Sequence, residues 1–257
     1  VNKYNILYGI IGLLAGFIIG FVFANQTNRG ALNNAARPSQ TNSSRTNAQT
    51  ADTGGAAQTS AGSNRPGTPS EAEIRDAIAK ADARPEDASL QRNFGMVLYR
   101  YASQTQNAAF LPDVARMLKR AHDANPQDRE LLVALGNVFF DIGQASDPAR
   151  FAEAREYYLK ALELKQDDAN VRTDLGLTYY FGQPSDPQRA IAEYRKSLAV
   201  DSRHEPTLQN LATALIAAGK SQEAQKIIDQ LTSLNPANPS LPDLRAQMAQ
   251  SRNKTRE

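Results

Sequence analysis

Residues 143–150 read GQASDPAR, and residues 182–189 read GQPSDPQR. The two octapeptides stand 39 residues apart and differ only where Ala145 matches Pro184 and Ala149 matches Gln188. An internal match this close at a fixed offset marks a repeated supersecondary unit, so the period is read before any single residue. Ahead of each octapeptide, and running into it, lies an apolar helical pattern rich in aromatics, ALGNVFFDIG at 134–143 and DLGLTYYFG at 174–182. After each comes a second, FAEAREYYLKALEL at 151–164 and AIAEYRKSLAV at 190–200. The unit is therefore helix, loop, helix.

Weaker copies flank these two. RNFGMVLYRYA (92–102) with VARMLKRAHDANP (114–126) precedes them, and QNLATALIAAGK (209–220) with EAQKIIDQLTSLNP (223–236) follows, which makes four units. The small residue of each first helix falls at Gly95, Gly136, Gly176 and Ala212, with spacings of 41, 40 and 36. A Gly or Ala there lets the second helix approach closely, and alternating bulky and small residues interlock across the contact. A single unit cannot bury its faces, so the units stack.

The pattern resembles the tetratricopeptide repeat (TPR), a unit of 34 residues with a large-Gly-x-x-aromatic first helix and a closing proline. Phe94-Gly95 with Leu98, Leu135-Gly136 with Phe139, Leu175-Gly176 with Tyr179, and Leu211-Ala212 with Leu215 fit the first helix. Leu118 with Ala121, Ala154 with Tyr158 and Ala161, Ala190 with Tyr194, and Ala224 with Ile228 fit the second. Pro126 and Pro236 supply the closing proline, whereas Gln166 and Ser202 stand where it is missing. The excess over 34 residues sits between the two helices of a unit. There, Asp147-Pro148 and Asp186-Pro187 read as an N-cap followed by proline at the first helical position. Capping accounts for the Ser-Asp loops without a phosphate or calcium ligand. The resemblance implies an all-α fold, a right-handed α-solenoid over residues 86–236.

Two edge helices complete it. Ser70-x-x-Glu73 is a capping box opening a helix over 70–84 with the apolar stripe Ile74, Ala77, Ile78, Ala81. A more polar helix over 240–252 suits the other end, and 253–257 reads as a frayed tail.

The N-terminal quarter is of another kind. After a short flank, 1–5, residues 6–24 carry no charge. As a helix they would extend about 28 Å, enough to cross a bilayer once. Gly9, Gly12, Gly16 and Gly20 lie three or four apart, a ridge that lets helices approach closely in lipid, where little apolar force drives association. The run reads as a retained anchor that packs against itself as a homodimer or against another membrane protein. The alternative is a cleaved signal peptide, with Lys3 as the basic end and Val22-Phe23-Ala24 as the small-x-small site. Residues 25–69 are polar and small, with Leu32 the sole large aliphatic. They read as a disordered tether with a root-mean-square reach of about 37 Å. Lys3 on one flank and Arg29 and Arg37 on the other leave the positive-inside comparison nearly balanced. The uncharged tether leans the repeat array to the extracytoplasmic side.

The net charge of +2 is uneven, with five basic groups and one acidic, Asp52, before residue 71. The remainder is slightly acidic and offers no basic footprint for nucleic acid. No cysteine occurs, which removes lipoprotein anchoring, disulfides, thiolate metal sites and thiol catalysis. His122 and His204 stand far apart in the repeat register without a nucleophile or second ligand nearby. Phosphate-loop, dinucleotide and zinc signatures are absent from the sequence, and Asp167-Asp168 falls where a unit ends in a turn. The sequence thus points to no catalytic residue, metal or cofactor.

In TPR proteins the first helices line a concave groove that commonly holds an extended peptide or a partner's helix. Subtracting the core positions leaves Arg92, Met96, Tyr99 and Arg100 toward the groove in the first unit. The second contributes Val133, Asn137, Phe140 and Asp141, the third Thr173, Leu177 and Tyr180, and the fourth Gln209, Thr213 and Ile216. Such a groove suits a peptide with apolar side chains and an acidic group near Arg92 and Arg100. The competing reading is that Phe140, Tyr180 and Phe181 seal contacts between units. The carboxylate clamp of chaperone-binding TPR domains is not reproduced, since its positions hold Met96, Ala134, Asn170 and Asp174 with Arg92 the one substitute. The anchor-plus-array architecture resembles TPR components of bacterial cytochrome c maturation and envelope assembly. It implies a membrane scaffold for protein–protein interaction, or else a permanent subunit of a larger membrane complex.

Overall fold

The computed structural model describes residues 69–254, with side chains to residue 251. The apolar run 6–24 with its glycines, nearly all of the tether and the last three residues lie outside them. Among the described residues no strand forms, and no helix is long and apolar enough to cross a membrane. The helices are α1 Glu71–Asp82, α2 Ala88–Thr105, α3 Leu111–Ala124, α4 Arg129–Ala145, α5 Arg150–Leu164, α6 Ala169–Phe181, α7 Pro187–Val200, α8 Glu205–Ala217, α9 Ser221–Leu234 and α10 Leu241–Lys254. The last of these runs into the segment expected to fray. α2 to α9 form the four helix pairs. Ser70 opens α1 as a capping box, accepting from Glu73 N while the Glu73 carboxylate accepts from Ser70 N at 2.7 Å.

Aspartates start three of the four first helices, and His204 precedes the fourth without a side-chain cap bond. Asp87, Asp128 and Asp168 each accept from the backbone N–H of the third helical residue, Leu90, Leu131 and Val171, which satisfies a donor left open at a helix start. The small residues act as the spacing requires. A β-carbon built on Gly95 would stand 2.6 Å from Leu118 Cδ2, and one on Gly136 or Gly176 would stand 2.4 Å from Cε1 of Tyr158 or Tyr194. All three partners are buried.

The two octapeptides, nearly identical in sequence, fold differently. In the first, α4 continues through Gly143, Gln144 and Ala145, and α5 begins only at Arg150 with Ala149 as a cap lacking a side-chain bond. The N-cap expected at Asp147 is thereby corrected. Its carboxylate accepts from Ala149 N at 3.2 Å and its carbonyl from Arg150 N at 2.9 Å, closing a separate turn ahead of the helix. In the second, α6 stops at Phe181, Gly182 is extended, and Asp186 caps Arg189 N at 3.0 Å with Pro187 first in α7. Pro184 is the reason. It has no N–H to donate and disfavours helical backbone before it, where Ala145 is the best helix former.

Each second helix packs on its own first helix and on the next unit's first helix, and neighbouring first helices touch while second helices make no comparable contact. The first helices therefore form one continuous face. The apolar interior divides within the third unit. One cluster runs from α1 to Val171 and Leu175, a second from Ala190 to Met248, and Tyr179 packs against both.

Candidate functional site

The face of α2, α4, α6 and α8 is assembled from residues one unit apart. From α2, Met96 and Tyr99 are half-buried and Arg100 is exposed. From α4 come half-buried Asn137, Phe140 and Asp141, from α6 half-buried Leu177 and Tyr180, and from α8 half-buried Thr213. Met96 and Phe140 rest on the first apolar cluster, Leu177 and Tyr180 on the second.

Four expected groove residues are otherwise engaged, among them Ile216, which is 9% exposed and lies inside the second apolar cluster. Thr173 is 3% exposed and lies in a hydroxyl cluster between units three and four. Its Oγ1 donates to Ala169 O at 2.7 Å and stands 3.1 Å from Ser197 Oγ and 2.6 Å from Thr207 Oγ1. Gln209 is 9% exposed and donates to Asn238 Oδ1 at 3.0 Å, under the turn into α10. Both are corrected from groove to interior, because the following unit covers them. Arg92 is half-buried, and its guanidinium bonds Asp128 at 2.9 Å and Glu130 at 2.5 Å. The oxygen of Asp128 left over from capping Leu131 thus receives the cation, and Arg129 bonds Asp168 in the same way. These arginines join units.

Carboxylates give this face its electrostatics. The Tyr99 hydroxyl donates to Asp141 Oδ2 at 2.8 Å across the boundary of units one and two. Burial pushes the Asp141 carboxyl up to about 6, against the pull of that bond. Asp174, half-buried on α6, has no hydrogen bond or ion pair with the described residues, and burial, with the charges of Asp168 and Asp141 adding, pushes it up to about 7. Tyr158, below them, donates to Asn137 Oδ1 at 2.8 Å. Burial, then the charge of Asp174, holds its hydroxyl well above the ordinary range. The sequence reading treated Asp174 only as a departure from a clamp. A helix-disfavouring Asp inside a helix, at the head of the uncharged run 175–185, was the available signal.

Aromatic rings close one end of the face. Phe140 meets Phe151 edge-on at 5.3 Å, Phe181 stacks on Phe151 at 6.1 Å, and Tyr180 meets Phe181 edge-on at 5.2 Å. These rings do join units two and three, yet Phe181 remains 37% exposed. Beside them, between the two octapeptide loops, is a cleft of about 250 Å³ lined by Phe151, Arg155, Tyr179, Pro184 and Arg189. Arg155 lies 4.2 Å over the Tyr179 ring and donates to Thr178 O at 3.0 Å. The histidines are apart. His204 Nδ1 is 2.6 Å from Thr207 Oγ1, and His122 lies edge-on to Tyr157 at 5.7 Å. Among the described residues no group of three His, Cys, Asp or Glu side chains could hold a metal ion.

Sequence models of the tetratricopeptide repeat match residues 149–168 and 183–248. Those residues carry tetratricopeptide repeats, and the described helices as a whole share the fold of such proteins. Similar solved structures include a tetratricopeptide repeat protein from Parabacteroides merdae (19% identity, 72% of this chain and 66% of that one, TM-score 0.55). Another is YrrB, described as a TPR protein with an unusual peptide-binding site (18% identity, 68% and 84%, TM-score 0.54). A third is MamA (18% identity, 65% and 91%, TM-score 0.52). No curated protein matches the sequence. On the first-helix face, aromatic groups of three units meet the amide of Asn137, the carboxylates of Asp141 and Asp174 and the hydroxyl of Thr213.

Proposed function

We propose that the protein is a non-enzymatic TPR scaffold that holds an extended segment of a partner protein along its first-helix face. The observation that carries the reading is a continuous row of half-buried side chains, Met96, Asn137, Phe140, Leu177, Tyr180 and Thr213, across four adjacent helices. Such a row has apolar area to cover and amide groups to bond a peptide backbone, which is the chemistry of groove recognition. The peptide-binding site named for YrrB supports the same use of a similar fold. The apolar run 6–24 anchors the array in a membrane, residues 25–69 hold it clear on the extracytoplasmic side, and the scaffold serves assembly of envelope or membrane-complex proteins.

The test is extraction of the tagged full-length protein in mild detergent, native sizing and mass spectrometry of what travels with it. A client bound reversibly and lost with Tyr180→Ala at unchanged helicity is the expected result. Recovery only in the soluble fraction with an N-terminus at Asn25 would overturn the anchor. The spacing of Gly9, Gly12, Gly16 and Gly20 favours a second reading, a permanent subunit packed through this ridge. In that case a stoichiometric complex survives Tyr180→Ala and dissociates with Gly16→Ile.

A further inference from the structure

Carboxylates that are partly buried between helices elsewhere in the described array are compensated. Asp82 is bonded by Arg116 and Arg120, Asp128 by Arg92, and Asp168 by Arg129. Glu153 is bonded by Lys119 and Arg150, and Glu193 by Arg172 and Lys196. Glu205, without a cation, accepts from the amides of Asn235 and Asn238 at 2.9 and 2.7 Å. Two carboxylates on the first-helix face break the rule. Asp141 receives one neutral hydroxyl, and Asp174 receives nothing from the described residues. They stand half-buried on α4 and α6, neighbouring first helices that touch. A half-buried carboxylate that meets no cation among the described residues is disfavoured, and a partner's cation would relieve that on binding.

The flanks narrow the ligand. Met96, Phe140, Leu177 and Tyr180, half-buried on the first helices of units one to three, give the face apolar and aromatic surface. Two carboxylates with no third acidic or imidazole ligand are a poor cage for a divalent ion, which takes six or more oxygens. The chain's own residues 25–69 carry four arginines but only Leu32 as a large aliphatic, so they match the charge and not the walls. Resting on the peptide-groove reading, we propose that the preferred segment is basic, a lysine or arginine between apolar side chains, its cation seated on the Asp141 and Asp174 carboxylates. This is the reverse of the acidic preference that Arg92 and Arg100 suggested in the sequence, because Arg92 is already held by Asp128 and Glu130.

The experiment is selection of random dodecapeptides displayed on phage against the full chain. It is followed by fluorescence anisotropy of a selected peptide and of its copy with norleucine in place of the basic residue. The expected result is enrichment of Lys or Arg between apolar residues and an affinity about tenfold lower for the norleucine copy. Asp174→Asn should lose the same factor for the basic peptide and nothing for the norleucine copy, with Asp141→Asn acting in the same direction. These replacements remove unfavourable charge and keep shape, so lost binding would not reflect unfolding, and thermal melting of each variant checks this. Selected peptides without basic enrichment, or equal binding by wild type and Asp174→Asn, would overturn the cation site while leaving the groove in place. If no peptide is retained, or retention is unchanged by Tyr180→Ala with Leu177→Ala, the groove reading fails and the cation site with it. Tighter binding by a peptide copied from residues 25–69 would overturn assignment to a separate partner.

Discussion

Cε1 of Tyr194 lies where a β-carbon on Gly176 would come within 2.4 Å of it. The same distance separates Gly136 from Tyr158, whereas the fourth unit places Ala212 and Ile228 at the corresponding positions. Bulk on one helix is therefore exchanged against bulk on the other. Gly176→Ala gains about 1 kcal/mol of helix propensity but overpacks the contact by about 1–3 kcal/mol. The expected net cost is up to about 2 kcal/mol, a melting temperature lowered by up to about 8 °C. Gly176→Ala with Tyr194→Ile, which copies the fourth unit, should cost at least about 1 kcal/mol less than the two single changes added. Additive costs in urea unfolding would show that the pair does not interlock.

Asp174 has a folded-state carboxyl raised to about 7 from an ordinary 3.8, so the native state holds its proton more tightly than the unfolded chain. Such a group destabilises at high pH, and the deficit is recovered as the pH falls from above 7 toward 4. Asp141, raised to about 6, acts in the same direction. Asp174→Asn should therefore raise the melting temperature at pH 8 by at least about 3 °C, the size of a 1 kcal/mol change in an array of this length. The gain should shrink toward zero at pH 4. An equal gain at both pH values would mean that the carboxyl is not raised.

His204 titrates in the opposite sense. Burial lowers its pKa, so the native state prefers the neutral ring, and this contribution is present above pH 6.5 and lost as the pH falls through the depressed folded value. Its Nδ1 meets Thr207 Oγ1, which also stands 2.8 Å from Ser197 Oγ. Thr207→Val removes the hydroxyl shared by three neighbours and should cost about 1–2 kcal/mol. His204→Gln should remove the loss of stability on acidification between pH 7 and 5. Amide hydrogen exchange in α6 and α8 would report both.

Arg92 supplies a third contrast. Its side chain is 32% exposed, and Glu130 is 68% exposed, so its ion pairs join two units in high dielectric. Arg92→Gln is expected to lower stability by about 1 kcal/mol or less and to change the affinity of a groove-bound peptide by less than twofold. A tenfold loss of peptide affinity at unchanged stability would return Arg92 to the recognition surface.

Legibility in the sequence followed the range of the interaction. Gly136 with Tyr158 and Gly176 with Tyr194 are neighbours within one unit, and the position of the small residue together with the aromatic of the next helix was enough to pair them. The capping box of Ser70 and Glu73 is shorter still, spanning one helical turn. Thr173 and Gln209 were misplaced because what covers them, Thr207 and Asn238, lies 34 and 29 residues away. A helical period assigns a side chain to a face without stating whether the next unit buries that face.

The sequence by itself determined the number and order of the helices, the capping box of Ser70 and Glu73, the cap at Asp186 and the small residues at which each pair closes. Each of these rests on contacts within a unit or a single turn, and local chemistry suffices to specify them. Tertiary structure alone decided which polar groups of the first helices stay available. Arg92 is bound by residues 36 and 38 positions on, Asp141 by a tyrosine 42 positions back, and Asp174 meets no donor among the described residues. Those outcomes depend on how one unit stacks against the next. A residue one repeat distant becomes a neighbour only when the stack is built, so the charge pattern of the face emerges with the stacking.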